Sequence, residues 1–183
     1  LPHQPKHPHP ILTHNRMKNL VTSLLATFTA WGQTDILDAR TNYSVGQTVT
    51  VTGIVTSDGN LGIVRYLQDE TAGIALYPGG QWTQNGWPDP QPGDELTMTG
   101  ALSEYNGLLE VGPDGITDVT VLSTGNELPA FQTITPNDMD ESMEGELAYI
   151  PDVVFTNGGT MITGNSTFSF TAAGEDGIIY VRN

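Results

Sequence analysis

Two adjacent carboxylate pairs, Asp69-Glu70 and Asp94-Glu95, are the residues of this chain best suited to chemistry, because paired carboxylates serve acid-base catalysis and glycosidic cleavage. Their spacing argues against that use. Neighbouring side chains on a strand point to opposite faces, so neither pair can flank one substrate. Both read as solvated charges at a turn and a strand start, where acidic edges also deter strand-to-strand aggregation. A third acidic run, Asp138, Asp140 and Glu141, invites a calcium loop. The glycine that such a loop needs at its sixth position, counted from Asp138, is Met143. The aromatic residues offer binding instead of catalysis. Tyr66 and Tyr77, with Arg65 beside them, could stack on the bases of a single strand, and Trp82, Trp87 and Tyr105 could stack on sugar rings.

Composition narrows the chemistry further. The 183 residues include 6 basic and 21 acidic side chains and no cysteine. All 4 histidines fall at or before His14, and from Gln33 onward Arg40, Arg65 and Arg182 are the only cations against all 21 acids, a balance of −18. That region lacks the residues for a Ser-His-Asp or Cys-His nucleophile, a Schiff-base or P-loop lysine, or a zinc site of His and Cys. No catalytic residue, metal or cofactor is implied. A body so acidic is also repelled by phosphate backbones, whose non-specific binding depends on Lys and Arg displacing counterions. No disulfide framework exists, and a chain of this length needs none to bury a core.

The first 32 positions read as an address. Met17-Lys18-Asn19, the apolar residues 20–29 and Ala30-Trp31-Gly32 before Gln33 have the order of a bacterial secretory signal peptide. The apolar run is too short for a membrane span, which needs ~20 residues. A secreted, extracellular protein with no membrane span in the mature chain is expected. Residues 1–16, rich in His and Pro, read as a disordered upstream leader.

The elements that must position the aromatics are strands. Residues 48–56 alternate Val49, Val51, Gly53 and Val55 with threonines, and Gly53 predicts a bulge or sharp coil. Residues 61–68 and 73–77 flank the turn Asp69-Glu70-Thr71-Ala72 and predict a hairpin. A loop rich in Gly, Pro and Trp (78–93) leads to strands at 95–105, 108–111 and 117–122. Val49, Val51, Val55, Ile63, Leu67, Ile74, Leu76, Leu96, Met98 and Leu102 share one phase and are expected to form a single interior. Thr135-Pro136, the acids after them and Gly145 predict one short helix. The fold class is all-β, a small Greek-key barrel.

The strings GQTVTVTGIVT, YLQDETAGIALY, GDELTMTGALSEYNGLLEV and LPAFQTITPNDMDESMEGELAYIPDVVF resemble OB-fold modules of large secreted bacterial proteins. Those modules recur in tandem beside extracellular nucleases, lamin-tail domains and C-terminal sorting domains. The resemblance implies an OB-fold barrel over 34–143 and the first strands of a second, truncated barrel over 144–183. Within that second part, 145–154 stands where 46–55 stood, and Gly177-Ile178-Ile179-Tyr180 echoes residues 73–77. The partners implied are other domains of the same parent chain.

Three functions compete. A non-catalytic binding or spacer module of a larger exported protein asks for nothing the sequence lacks. A module for single-stranded nucleic acid would use the face of the second and third strands, carrying Arg65 or Tyr66, Ala75 and Tyr77. A carbohydrate-binding module would use Trp82, Trp87 and Tyr105.

Overall fold

A computed structural model describes residues 32–156, 158–159 and 164–181. The expected leader lies outside the described residues, as does the expected signal peptide apart from Gly32. Among the described residues no helix is long and apolar enough to cross a membrane.

Strands β1 (Thr48–Val55), β2 (Arg65–Gln68), β3 (Gly73–Leu76), β4 (Glu95–Tyr105) and β5 (Leu108–Val111) pair in the order β1-β2-β3-β5-β4, and β4 returns to β1. The sheet therefore closes. Every pairing in the ring is antiparallel except β3 with β5, the connectivity of an OB-like Greek-key barrel. β4 can serve two neighbours because it is 11 residues long. Along one edge it pairs with β1, from Thr48↔Ala101 to Ile54↔Glu95. Its other edge takes β5 at Leu102–Tyr105 and then β6 (Asp118–Ser123) at Glu95–Thr99. β5 and β6 thus act as one interrupted strand, continued across the gap by Gly112 N–H on the Ala101 carbonyl and Thr117 N–H on the Thr99 carbonyl.

The predicted interior forms. Val49, Val51, Val55, Leu67, Ile74, Leu76, Leu96, Met98 and Leu102 are buried in one cluster, while the outward threonines pair across β1 and β4 through hydroxyls at 2.8 Å (Thr50, Thr99) and 2.6 Å (Thr52, Thr97). Ile63 departs from the expectation and lies half-buried in the loop before β2. At Gly53 the register with β4 runs on without a bulge. The glycine serves close approach instead, since a Cβ there would come within 2.6 Å of the Gln68 carbonyl oxygen, where β1 meets β2.

The predicted helix at 135–145 is corrected to two separate 3-10 turns, Pro136–Asp138 and Glu141–Met143. The capping box of Thr135 and Asp138 does form, but the Asp140 side chain accepts the Ser142 N–H and starts a second turn, so no α-helix propagates. The helix that does form is α1 (Ile36–Asn42), which sends Ile36 and Ala39 into the core beside the β2–β3 turn, where Ile36 N–H donates to Asp69 Oδ2 at 2.8 Å. Trp82 fills the core near the start of β2, so the barrel is plugged at both ends.

A smaller second sheet follows. β9 (Val154–Phe155), β10 (Ser166–Ala172) and β11 (Glu175–Val181) are antiparallel in the order β9-β10-β11. Ala173 and Gly174, both at positive φ, make the two-residue hairpin turn between β10 and β11. Ala148 and Tyr149, expected in that sheet, form strand β8 and pair in parallel with β7 (Gln132–Thr133).

Candidate functional site

An OB barrel presents ligand-binding side chains on the face of its second and third strands, and here β5 continues the outer surface of β2 and β3. Register sets its rows: Tyr66 lies across from Ala75, Ala75 from Glu110, and Glu110 from Ser103, while Gln68 faces Gly73 and Leu108 faces Tyr105. Tyr66 and Tyr77 are both half-buried on this side. Glu110 is buried beside the Ser103 hydroxyl, 3.2 Å from its Oε1, and loss of solvation raises its carboxyl above the ordinary value despite that hydrogen bond.

This surface is already occupied. Residues 140–147 cross it as a strap running from β5 over β3 to β2. Glu144 Oε2 accepts the Leu109 N–H at 3.3 Å, Gly145 lies against Gly73, and Leu147 N–H donates to Gln68 Oε1 at 3.0 Å. Arg40, reaching from the end of α1 with only 8% of its side chain exposed, clamps the crossing. Its Nη1 donates to the carbonyl oxygens of Gly73 (2.8 Å) and Glu144 (2.9 Å), and its Nη2 to that of Glu141 (2.6 Å). The Glu144 carboxylate also sits 3.5 Å from Nη1. Burial raises the Glu144 carboxyl and Glu141 adds to that, while the Leu109 hydrogen bond and Arg40 lower it; burial wins.

Two clefts flank the strap. One, of about 710 Å³, is lined by Thr52, Gln68 and the carboxylates of Asp69, Glu70, Glu95, Glu127 and Glu146, and so repels an anion. The other, of about 410 Å³, is lined by Ser57, Leu61, Tyr66, Leu108 and residues 144–147.

The residues singled out from the sequence are scattered by the fold. Arg65 shares the inward phase of Leu67, is 3% exposed, and is spent on the Pro90 carbonyl (3.0 Å), the Gly62 carbonyl (2.6 Å) and Asp89 (2.6 Å). Trp82 is 2% exposed, with its indole N–H on the Ile63 carbonyl at 2.7 Å, and Trp87 packs half-buried against the same core. Tyr105 is 67% exposed at the β4–β5 turn. Only Tyr66 and Tyr77 lie on the surface that the strap crosses, and Tyr66 lines the smaller cleft beside it. Sequence reasoning missed Arg40, Gln68, Gly73 and Glu144. One signal was available: Arg40 is one of three cations after Gln33, and an isolated guanidinium in so acidic a body calls for acidic or carbonyl partners.

A closed, plugged barrel with this strand order is an all-β, OB-like module. No protein-family model matches the chain. A stretch of 130 residues, 69% of the chain, is 31% identical to the protein named Endonuclease YhcR of Bacillus subtilis (strain 168). The match spans 10% of that protein, so the similarity covers only a small part of its length.

Proposed function

We propose that this protein is a non-catalytic, secreted OB-fold module of a larger exported protein, acting as a spacer between other domains of the same parent chain. The observation that carries the proposal is the strap. Residues 140–147 cross the surface on which an OB barrel would hold a ligand, and the larger of the two clefts beside them is lined by carboxylates. The relative supports a module that accompanies a nuclease, because the similarity covers a tenth of a protein named as an endonuclease. Residues 17–32 direct export, residues 34–143 form one module, and residues 144–183 begin a second in a tandem series.

One alternative draws on the same relative: a module that holds single-stranded nucleic acid on Tyr66 and Tyr77. Titration with oligo(dT) at physiological salt separates the two. The spacer reading expects affinity no better than the ~10⁻⁴ to 10⁻⁶ M of ordinary non-specific binding, because the surface is covered and the body carries −18 charges. Sub-micromolar binding overturns it in favour of the tyrosine surface. Export is checked separately, by N-terminal sequencing of secreted material, which should begin at or near Gln33; His3 or Lys6 in the mature protein would remove that argument.

A further inference from the structure

A spacer on a free linker only tethers, whereas one with a fixed joint also sets direction. We propose that residues 140–147 are such a joint, a strap that locks the β9–β11 sheet onto the barrel at one orientation. The inference takes its purpose from the spacer reading, but its geometry stands apart from it.

Five ties hold the chain between the two sheets. Arg40 grips the carbonyls of Glu141 and Glu144 from α1, and Gln68 takes the Leu147 N–H on β2. Gly145, at φ +82°, packs backbone to backbone on β3, where a Cβ would fall 2.8 Å from the Gly73 carbonyl carbon and the Ile74 nitrogen. Further along, β8 pairs with β7, and Asn137 N–H donates to Glu175 Oε2 at 3.1 Å, which ties the 3-10 turn Pro136–Asp138 to β11. The second sheet is thus attached through its own strand and through the strap. The backbone at 145 can carry only glycine, because both the positive φ and the contact with Gly73 reject a side chain.

The chain contains no cysteine, so two introduced cysteines become its only thiols. Spin labels at Leu122→Cys and Thr167→Cys, both exposed, report on the barrel and the second sheet by pulsed dipolar spectroscopy. The joint predicts one narrow distance distribution in the parent chain. Gly145→Val and, separately, Arg40→Ala should each broaden it at least twofold, while hydrogen exchange of 48–55 and 95–105 stays at the parent level and shows the barrel intact. A third variant, Glu127→Gln, removes a charge from the cleft beside the strap without touching these ties and should leave the distribution narrow. A distribution already broad in the parent chain overturns the proposal, as does one that both strap variants leave unchanged. If either variant unfolds the barrel, the other decides, and if both do so the strap is part of the barrel's own core and the proposal fails. Oligonucleotide affinity does not enter these outcomes, so failure of the joint and failure of the spacer reading are read separately.

Discussion

The barrel and the sheet that follows it are built from similar alternating strands, yet the barrel gathers its apolar side chains into one large cluster while the second sheet buries only the side chains of Phe170 and Ala172 among its described residues. In the barrel each of the five ring strands is paired along both edges, so the inward phase of β1, β2, β3 and β4 meets itself across a closed space. In the second sheet, among the described residues, β10 alone has two partners, and β9 and β11 each pair along one edge. Its aromatic residues cluster, with Phe155 edge-on to Phe168 and to Phe170 at 6.3 Å, but Val154, Ile178 and Tyr180 stay exposed. Alternation supplies an apolar face; closure decides whether that face is buried.

Truncating the two faces sharpens the contrast most. Met98→Ala, at a fully buried position, should cost ~2–5 kcal/mol through lost transfer energy and the cavity left behind. Ile178→Ala, at a residue 67% exposed, should change stability by no more than ~0.5 kcal/mol. Urea denaturation of each variant checks both. A large loss at Ile178 would mean that the second sheet has a core of its own.

Arg65 gives a smaller effect and separates packing from binding. Arg65→Ala leaves the buried Pro90 carbonyl and the partly buried Gly62 carbonyl without this donor, an expected cost of about 1–3 kcal/mol. Because the guanidinium is spent inside the loops, the same variant should leave oligonucleotide affinity unchanged at matched salt. A drop in affinity with intact stability would return Arg65 to the binding surface.

The smallest effect is in pH dependence, where individual carboxylates differ in sign. Glu110 and Glu144 have carboxyl groups raised above 4.5 in the folded protein by burial. Their contribution to stability is therefore full below the ordinary value and is lost as pH rises through the raised one. Asp140 and Glu175 are lowered by hydrogen bonds, first from the Ser142 hydroxyl and the Thr135 hydroxyl respectively, so their contribution is full above the ordinary value and fades as pH falls through the lowered one. The urea midpoint of the barrel should rise modestly as pH falls from neutrality toward the ordinary carboxylate value, and Glu110→Gln should flatten that rise. An unchanged slope in the variant would assign the dependence elsewhere.

How far the sequence was legible follows from the range of the contacts involved. β4 and β5 match the alternation to the residue, and β1 and β2 differ at their ends, because period two is a local pattern that burial only selects. The strap could not be read that way. Arg40 and the Glu144 carbonyl are 104 residues apart in the chain, and no local pattern near either announces the other. The helix signals at 135–145 were real as caps, since Thr135 and Asp138 do form their box, but a cap starts a turn without ensuring that the next turn follows. α1 was invisible for the opposite reason. It has 7 residues, too few to show a period, and forms because Ile36 and Ala39 find the open end of the barrel. Arg65, Trp82 and Trp87 were read as ligands for their chemistry, which suits them equally to closing the loops of a barrel.

Residue-resolved hydrogen exchange tests the central contrast most directly, because it reports closed and open regions in one experiment. Amides of β1 and β4 should exchange slowest, and those of Leu109 and Leu147, which the strap contacts protect, should lie close to them. Amides of β10 and β11 should exchange much faster than either. Equal protection across 48–123 and 166–181 would contradict the account, since it would mean that the second sheet belongs to the barrel's own cooperative unit and that no open second region exists.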